Sequence, residues 1–188
     1  ECAGRLHAAH LRAIEVEGWP AAGASLENAQ LFDTVVEPLV RQGKRVAYLL
    51  IDSLRYELAV DLQAGLLRNY QVKLNLSYAQ LPTYTEVGMA SLMPQAKAKL
   101  NLKLKEDKAG KRWLAVHLGD RATPDPTTRF THLREIMGDQ CQQERIERFS
   151  QSGRPHVDPR TRLYVVRGSD IDEASHAGES RAMQQIPA

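Results

Sequence analysis

Carboxylate, hydroxyl and imidazole side chains that could do chemistry are concentrated in three short segments of the chain. The segments follow, in order, the predicted strands 45–51, 71–79 and 162–167. In open α/β sheets, ligands bind outside the carboxyl ends of the strands. We therefore expect the three segments to converge at one edge of a sheet.

The first segment places Asp52 directly after an apolar strand. A carboxylate in that position could hold a metal ion or face a phosphate. The structural alternative is that Asp52 or Ser53 caps the helix that follows, because short polar side chains are favoured at helix starts. The segment alone leaves both interpretations open.

The second segment brings two hydroxyl groups, Thr83 and Thr85, to the start of a helix predicted over 87–93. Free backbone N–H groups and the helix dipole favour a bound phosphate there. A metal bound to the oxygen would lower its pKa and make it a nucleophile. The alternative is a capping box, since Thr83 and Glu86 have its spacing. Gly88 so early in a helix indicates that something approaches closely.

The third segment contains Asp172 and His176, which stand four residues apart and so share a face of a predicted helix. A carboxylate and an imidazole form an ordinary ligand pair for zinc or manganese. A surface ion pair is the alternative for such a spacing. The common position of all three segments after strands is stronger support than any one segment.

The pattern of the whole chain predicts an α/β fold with an open, mostly parallel sheet and helices on both faces. The run 45–51 is almost continuously apolar, as in strands covered on both faces. Helices are expected over 6–16 and 31–40, a hairpin from 99–104 and 112–118, and one long helix from Thr127 or Thr128 to Phe149.

Four stretches of the chain together resemble PglZ domains, a family of bacterial phage-exclusion (BREX) systems within the alkaline phosphatase superfamily. The stretches are residues 46–59, 81–94, 164–166 and 170–176. They read VAYLLIDSLRYELA, LPTYTEVGMASLMP, YVV and DIDEASH. The resemblance covers roughly 44–94 and 162–178. More distantly, the chain is similar to nucleotide pyrophosphatase/phosphodiesterases.

The resemblance implies a role for each candidate residue. Asp52 would bind one of two divalent metal ions, zinc or manganese, and Asp172 with His176 would bind the other. Thr85 would be the nucleophile that bridges the metals, matching a Pro-Ser/Thr-x-Thr turn, with Thr83 as the fallback. Arg55 and Thr83 would contact the substrate.

The same resemblance predicts a domain that is incomplete at its C-terminus. The superfamily needs a further Asp-His pair and a last His from later strands, and none follows the third segment. We expect residues 1–43 to be a helical segment or linker and 44–188 the front part of the domain, with 95–161 a family-specific insertion. A chain that begins with Glu is expected to be an excerpt.

Composition excludes several other classes of protein. The net charge of +2 gives no strong signal for a charged partner, and the basic stretch 97–112 is interpreted as a solvated loop or hairpin in preference to a nucleic-acid arm. Two cysteines far apart do not match a zinc-finger spacing, and no apolar run is long enough to span a membrane. A cytoplasmic location is the simplest expectation.

The three segments and the resemblance to PglZ domains together predict a metal-dependent phosphohydrolase that acts on a phosphate ester. By family analogy a phosphodiester is expected, with a nucleic acid or a nucleotide as candidate substrates, in phage defence alongside other defence-system proteins. This fragment alone is expected to be inactive. The alternative is a non-catalytic module of the same fold that docks partners in a defence or signalling complex. A third, weaker option is an unrelated α/β domain whose three segments are only caps and turns.

Overall fold

The computed structural model describes residues 2–20, 26–152 and 156–176, with the side chains of 150–152 and 174–176 excepted. The chain divides into two compact units. We call residues 36–75 and 133–188 the parallel-sheet unit, and residues 1–35 and 76–132 the hairpin unit.

The parallel-sheet unit contains a three-stranded, fully parallel sheet in the order β1-β6-β5. Its strands are β1 (Val46–Ile51), β5 (Cys141–Arg145) and β6 (Leu163–Gly168). Val46 is in register with Leu163 on one side of β6, and Cys141 is in register with Leu163 on the other. Two of the three predicted strands are therefore direct neighbours.

The central strand β6 is covered on both faces, because its residues 163–166 are all buried. That burial explains why its sequence is continuously apolar. Strand β1 differs from the prediction of two covered faces. Tyr48 and Leu50 are buried, whereas Leu49 on the opposite face is 54% exposed. Within the described residues, β1 is an edge strand with one covered face.

A helix of this unit precedes β1, and a helix follows each of its three strands. These helices are α3 (Glu37–Arg41), α4 (Tyr56–Leu66), α8 (Glu147–Ser152) and α9 (Asp170–His176). The predicted helix over 31–40 is instead α2 (Asn28–Leu31), a π-helical turn (Phe32–Val36) and α3. It closes as expected at Gly43, whose positive φ of 76° is the conformation that a glycine adopts easily.

The prediction of a strand over 71–79 is wrong. Residues 71–77 have no regular secondary structure, and Tyr78 makes only an isolated parallel bridge with Glu27. Alternating apolar residues need a neighbouring strand before they form a sheet, and Leu76 is 60% exposed. The alternation of apolar and polar residues is therefore not sufficient to form a strand here.

The prediction of one long helix to Phe149 is also wrong. Helix α7 (Pro126–Met137) begins where the Asp125 carboxylate accepts the N–H of Thr128 at 2.9 Å, a hydrogen bond that lowers the pKa of Asp125. It ends at Gly138, with φ of +73°, and a 3₁₀ turn (Gly138–Gln140) leads into β5.

The hairpin unit is built on an antiparallel sheet in the order β2-β3-β4. Its strands are β2 (Leu100–Glu106), β3 (Arg112–Leu118) and β4 (Arg121–Ala122). The predicted hairpin is confirmed, and Gly110 adopts the positive φ that its turn requires. Helices α1 (Cys2–Glu17), α5 (Thr85–Ser91) and α6 (Ala96–Lys99) belong to the same unit.

One face of the hairpin packs against α5. Val87 and Ala90 of α5 form a buried cluster with Val116 of β3, and Leu100 and Leu102 of β2 pack against it. This cluster fixes α5, the helix that begins at the predicted nucleophile. No helix in the described part of the chain is long and apolar enough to cross a membrane.

Candidate active site

The carboxyl ends of β1 and β6 bring two of the predicted metal ligands to one edge of the parallel sheet. The pairing of β1 with β6 continues one residue past β1, where the N–H of Asp52 donates to the carbonyl of Gly168 at 2.9 Å. The Ser53 hydroxyl then donates to Oδ1 of Asp172 at 2.7 Å. The segments after β1 and β6 thus meet across 119 residues of sequence.

The backbone of Ser53 has an unusual conformation that places its hydroxyl. Its φ is +59°, in the left-handed region that residues with a side chain seldom adopt. The Ser53 N–H donates to Oδ1 of Asp52 at 2.9 Å, so this residue links the carboxylates of Asp52 and Asp172. Both carboxylates are half-buried. Neither Asp52 nor Ser53 caps α4, because Arg55 occupies its N-cap position.

A second acidic pair lies after β5 and β6. Arg145 donates to the carboxylate of Glu147 at 3.1 and 3.2 Å, and the charge of Glu147 acts on the carboxyl group of Asp170. Local desolvation and the charge of Glu147 raise the pKa of Asp170. The hydrogen bond from Arg145 lowers the pKa of Glu147. The Asp170 proton is thus held more tightly than that of an ordinary aspartic acid.

The other residues predicted on this edge are placed less fully. His176 is the last residue of α9, and its side chain lies outside the described part of the structure. Arg55 is exposed, and its guanidinium makes no hydrogen bond or ion pair with any residue that the structure describes. An exposed guanidinium in this position is accessible to a phosphate.

Thr85 is the first residue of α5, and its side chain is exposed. The residue at the N-cap is Tyr84, whose side chain makes no capping hydrogen bond. The alternative of a capping box from Thr83 and Glu86 is therefore wrong, because the helix begins one residue later than that box requires. Thr83 is also exposed, in the turn before α5.

Gly88 lies one turn into α5 with open space around it. A Cβ built on Gly88 would meet no atom within 4 Å. Packing within the described structure therefore does not require glycine at this position. The expectation that something approaches closely at Gly88 stays a prediction.

The donor set at the sheet edge fits a divalent cation in its chemistry. Carboxylates bind manganese and, together with imidazole, zinc. Asp52 and Asp172 are held close to each other through Ser53. No group of three or more His, Cys, Asp or Glu side chains that could hold a metal occurs among the described residues.

Sequence reasoning missed three polar residues of this edge. Ser53 was considered only as a cap, and its left-handed conformation carries no sequence signal. The pair of Glu147 and Asp170 depends on β5 lying beside β6, and β5 was not predicted. A carboxylate two residues after a strand would have been the available signal for Glu147.

The fold and this site define an alkaline phosphatase-like α/β domain. The family model of the BREX system PglZ alkaline phosphatase-like domain matches residues 31–186. The chain therefore belongs to the PglZ family, as its sequence motifs predicted. The division into a linker, a domain and an insertion over 95–161 stays a prediction.

Two curated proteins illustrate the similarity. The chain is 34% identical over 86 residues to the alkaline phosphatase-like protein PglZ of Bacillus cereus (strain H3081.97). It is 34% identical over 83 residues to the alkaline phosphatase-like protein BrxZ of Escherichia coli O9:H4 (strain HS). The alignments cover 45% and 42% of this chain, but only 10% of each relative. The aligned part of the chain thus corresponds to about a tenth of the length of these proteins.

Proposed function

We propose that this chain is part of a metal-dependent phosphodiesterase of a BREX defence system, with Thr85 as its nucleophile. The observation that carries the proposal is the meeting of Asp52, Ser53 and Asp172 at the carboxyl ends of two adjacent parallel strands. Membership of an alkaline phosphatase-like family supports it. The substrate class is a phosphodiester in a nucleic acid or nucleotide.

Asp52, Asp172 and His176 are the residues that would hold two divalent ions, either zinc or manganese. When bound, such ions stabilise negative charge on the phosphoryl oxygens and lower the pKa of a hydroxyl nucleophile. We expect Arg55 to bind a phosphate oxygen, because it follows Asp52 and Ser53 closely in sequence and is exposed. Thr83 would contact the same phosphate from the turn before α5.

Thr85 carries the covalent step in this proposal. Its hydroxyl proton passes to solvent, and Oγ1 attacks phosphorus to form an O–P bond, while the bond from phosphorus to the leaving alcohol breaks and that alcohol takes up a proton. Water then attacks the phosphorus of this threonyl phosphodiester, which returns a proton to Oγ1, restores the hydroxyl and releases the phosphate monoester. The first helical residue suits this role because its side chain is exposed and the nearby backbone N–H groups favour an anion.

The test is turnover of bis-p-nitrophenyl phosphate by the intact protein with added manganese or zinc. Thr85→Ala should lower turnover by at least about two orders of magnitude, because the covalent intermediate cannot form. Thr85→Ser, which keeps a hydroxyl, is the matched control and should retain measurable turnover. Thr83→Ala should keep a kcat close to wild type with a raised KM, because it loses a phosphate contact, and should melt near the wild-type temperature, because Thr83 makes no cap.

The variants also separate the alternatives. Near-normal turnover by Thr85→Ala would refute the nucleophile assignment, and a dead Thr83→Ala would show that the nucleophile is two residues earlier. A wild-type protein that binds partner proteins of the defence system but never turns over a diester, with either metal, would favour the non-catalytic module. A cytoplasmic location and contacts with other defence proteins are part of the same proposal.

A further inference from the structure

We propose that a groove in the hairpin unit binds single-stranded nucleic acid next to the first turn of α5. This inference rests on the proposed function and specifies its substrate as a nucleotide chain that extends away from the cleaved phosphate. It assigns a binding role to the hairpin within 95–161, where the resemblance to the family carries no motif, together with Tyr84 and Glu86 at the start of α5.

The groove has a volume of about 720 Å³ and lies between the start of α5 and the hairpin. Tyr84 and Glu86 line it on the α5 side, and residues of β2 and β3 line it on the other. Because Thr85 lies between Tyr84 and Glu86 in sequence, the groove adjoins the proposed nucleophile. All of these residues belong to one unit.

Strand β3 forms the groove wall with an edge that no other strand covers. Strand β4 pairs only with His117 and Leu118, so residues 112–115 have no strand partner on that side within the described structure. A ligand can therefore lie along β3 without displacing a neighbouring strand.

Two exposed aromatic rings face solvent at this groove. Tyr84 is 60% exposed and Trp113 is 44% exposed, and both line it. No other residue in the described structure stacks with either ring. Large exposed rings of this kind are the platforms on which the bases of single strands stack.

The strand register places positive charge on the same face as Trp113. Lys105 is directly opposite Trp113 in the β2–β3 ladder, and Lys103, opposite Ala115, lies two residues further along the same face. Lys103 and Lys105 are exposed and pair with no carboxylate in the described part of the chain. Arg112, in contrast, is paired with Glu106 at 2.6 Å.

The charge of the wider hairpin favours a nucleic acid over a peptide. Residues 97–112 contain seven basic and only two acidic residues. A peptide that extended the edge of β3 would use its backbone groups and would gain nothing from unpaired ammonium groups beside an aromatic ring. A polyanion with stacking bases uses both. The sequence alone indicated only a solvated hairpin, because it could not show which lysines share a face with Trp113.

The experiment is fluorescence anisotropy of a fluorescein-labelled ten-nucleotide oligo-dT with the intact protein, in EDTA so that no hydrolysis occurs. Trp113→Ala should weaken binding about 5- to 150-fold, the range measured for the loss of one stacked base. The Lys103→Ala/Lys105→Ala double variant should reduce the slope of log K against log salt by about 1.4, since each lost phosphate contact removes about 0.7.

The matched control is Lys44→Ala/Lys73→Ala, which removes two exposed lysines from the other unit. It should leave the affinity and the salt slope unchanged. An equal loss in this control would overturn the proposal, because the binding would then be unspecific charge attraction. Unchanged affinity in Trp113→Ala would overturn it as well, as would tight competition by an uncharged peptide.

The outcome is independent of the catalytic assignment. Turnover that depends on Thr85, combined with no oligonucleotide binding, would refute the groove and leave the phosphodiesterase intact. Oligonucleotide binding that depends on Trp113, combined with no turnover under any metal, would refute the phosphodiesterase and leave the groove as a nucleic-acid surface. Circular dichroism of each variant in EDTA checks that the fold is retained.

Discussion

Replacing Ser53 with alanine or with glycine separates the two roles that its geometry indicates. The residue has a φ of +59°, and its hydroxyl donates to Asp172 at 2.7 Å. Ser53→Ala removes the hydroxyl and keeps a Cβ in the left-handed conformation. Ser53→Gly removes the hydroxyl and also relieves the backbone strain. The two variants therefore differ only in strain and in the freedom of the unfolded chain.

The magnitudes follow from the local structure. A hydrogen bond to a charged group contributes about 1.5–3 kcal/mol when well shielded. Ser53 is exposed and Asp172 is half-buried, so we take about 1 kcal/mol for the loss of the hydroxyl in either variant. The left-handed conformation costs a residue with a Cβ about 1–2 kcal/mol. Glycine does not have that strain, but the greater conformational freedom of its unfolded chain destabilises the folded protein by about 0.5–1 kcal/mol.

Ser53→Gly should therefore be more stable than Ser53→Ala by about 0.75 kcal/mol, the middle of the range of about 0–1.5 kcal/mol that remains when the entropy cost is subtracted from the strain relief. For a protein of this size, that difference corresponds to roughly 1–4 °C in the melting temperature. Thermal melts in EDTA measure it without any contribution from metal. A glycine variant that melts below the alanine variant would refute the strain argument.

Metal affinity tests the second role of Ser53. Groups that orient a metal ligand typically change affinity by about 10- to 100-fold when removed. Both variants should lose manganese or zinc affinity by this factor, measured by calorimetric titration, although their stabilities differ. Ser77→Ala, which removes a hydroxyl bonded to Asn28 in the other unit, is the control and should bind metal normally. Wild-type affinity in both Ser53 variants would show that the hydroxyl does not orient Asp172.

Three further predictions concern helix α5, the core and a turn. Gly88→Ala should raise the free energy of unfolding by about 0.5–1 kcal/mol, because alanine favours the helix and the site has open space for its Cβ. Turnover of the diester should fall if the substrate occupies that space. Thermal melts measure the first effect and diester turnover measures the second. Leu163→Ala, fully buried on β6, should cost about 2–5 kcal/mol in urea unfolding, against less than about 1 kcal/mol for the exposed Leu49→Ala. The hydrogen bond from Arg160 lowers the pKa of Asp158 from 3.8 to about 2, so its stabilisation is present above pH 3.8 and is lost as pH falls towards 2. The melting difference between wild type and Asp158→Asn should accordingly shrink over that pH range.

The sequence predicted those strands whose burial dictates their composition. Strand β6 is buried on both faces and is continuously apolar over residues 163–166, and the β2–β3 hairpin is indicated by a glycine turn between two strand-like stretches. Strand β5 was missed because it reads Cys-Gln-Gln-Glu-Arg and lies at the sheet edge, half-buried to exposed. Its position is set by pairing with β6, which no local pattern reveals.

The candidate site was predictable in its ligand types and not in its supporting contacts. Asp52 and Asp172 could be placed because each follows an apolar strand, and parallel strands share a carboxyl edge. The Ser53–Asp172 hydrogen bond spans 119 residues and depends on a rare backbone conformation, so no spacing rule could predict it. The starting residue of α5 was likewise set by the turn before it and not by the apparent capping box.

Gly168 explains how one strand can supply acidic residues to both of its neighbours. A Cβ at this position would lie 2.8 Å from Cγ2 of Ile146 and 3.3 Å from Cδ1 of Ile51, so a larger residue would have to displace the side chains of Ile146, just after β5, and Ile51, at the end of β1. With glycine, the segments that hold these two side chains close in on the end of β6. Helix α9 then begins between them and carries Asp170 towards Glu147 on one side and Asp172 towards Ser53 on the other. The absence of a side chain at the end of the central strand is therefore as much a requirement of the proposed site as the carboxylates themselves.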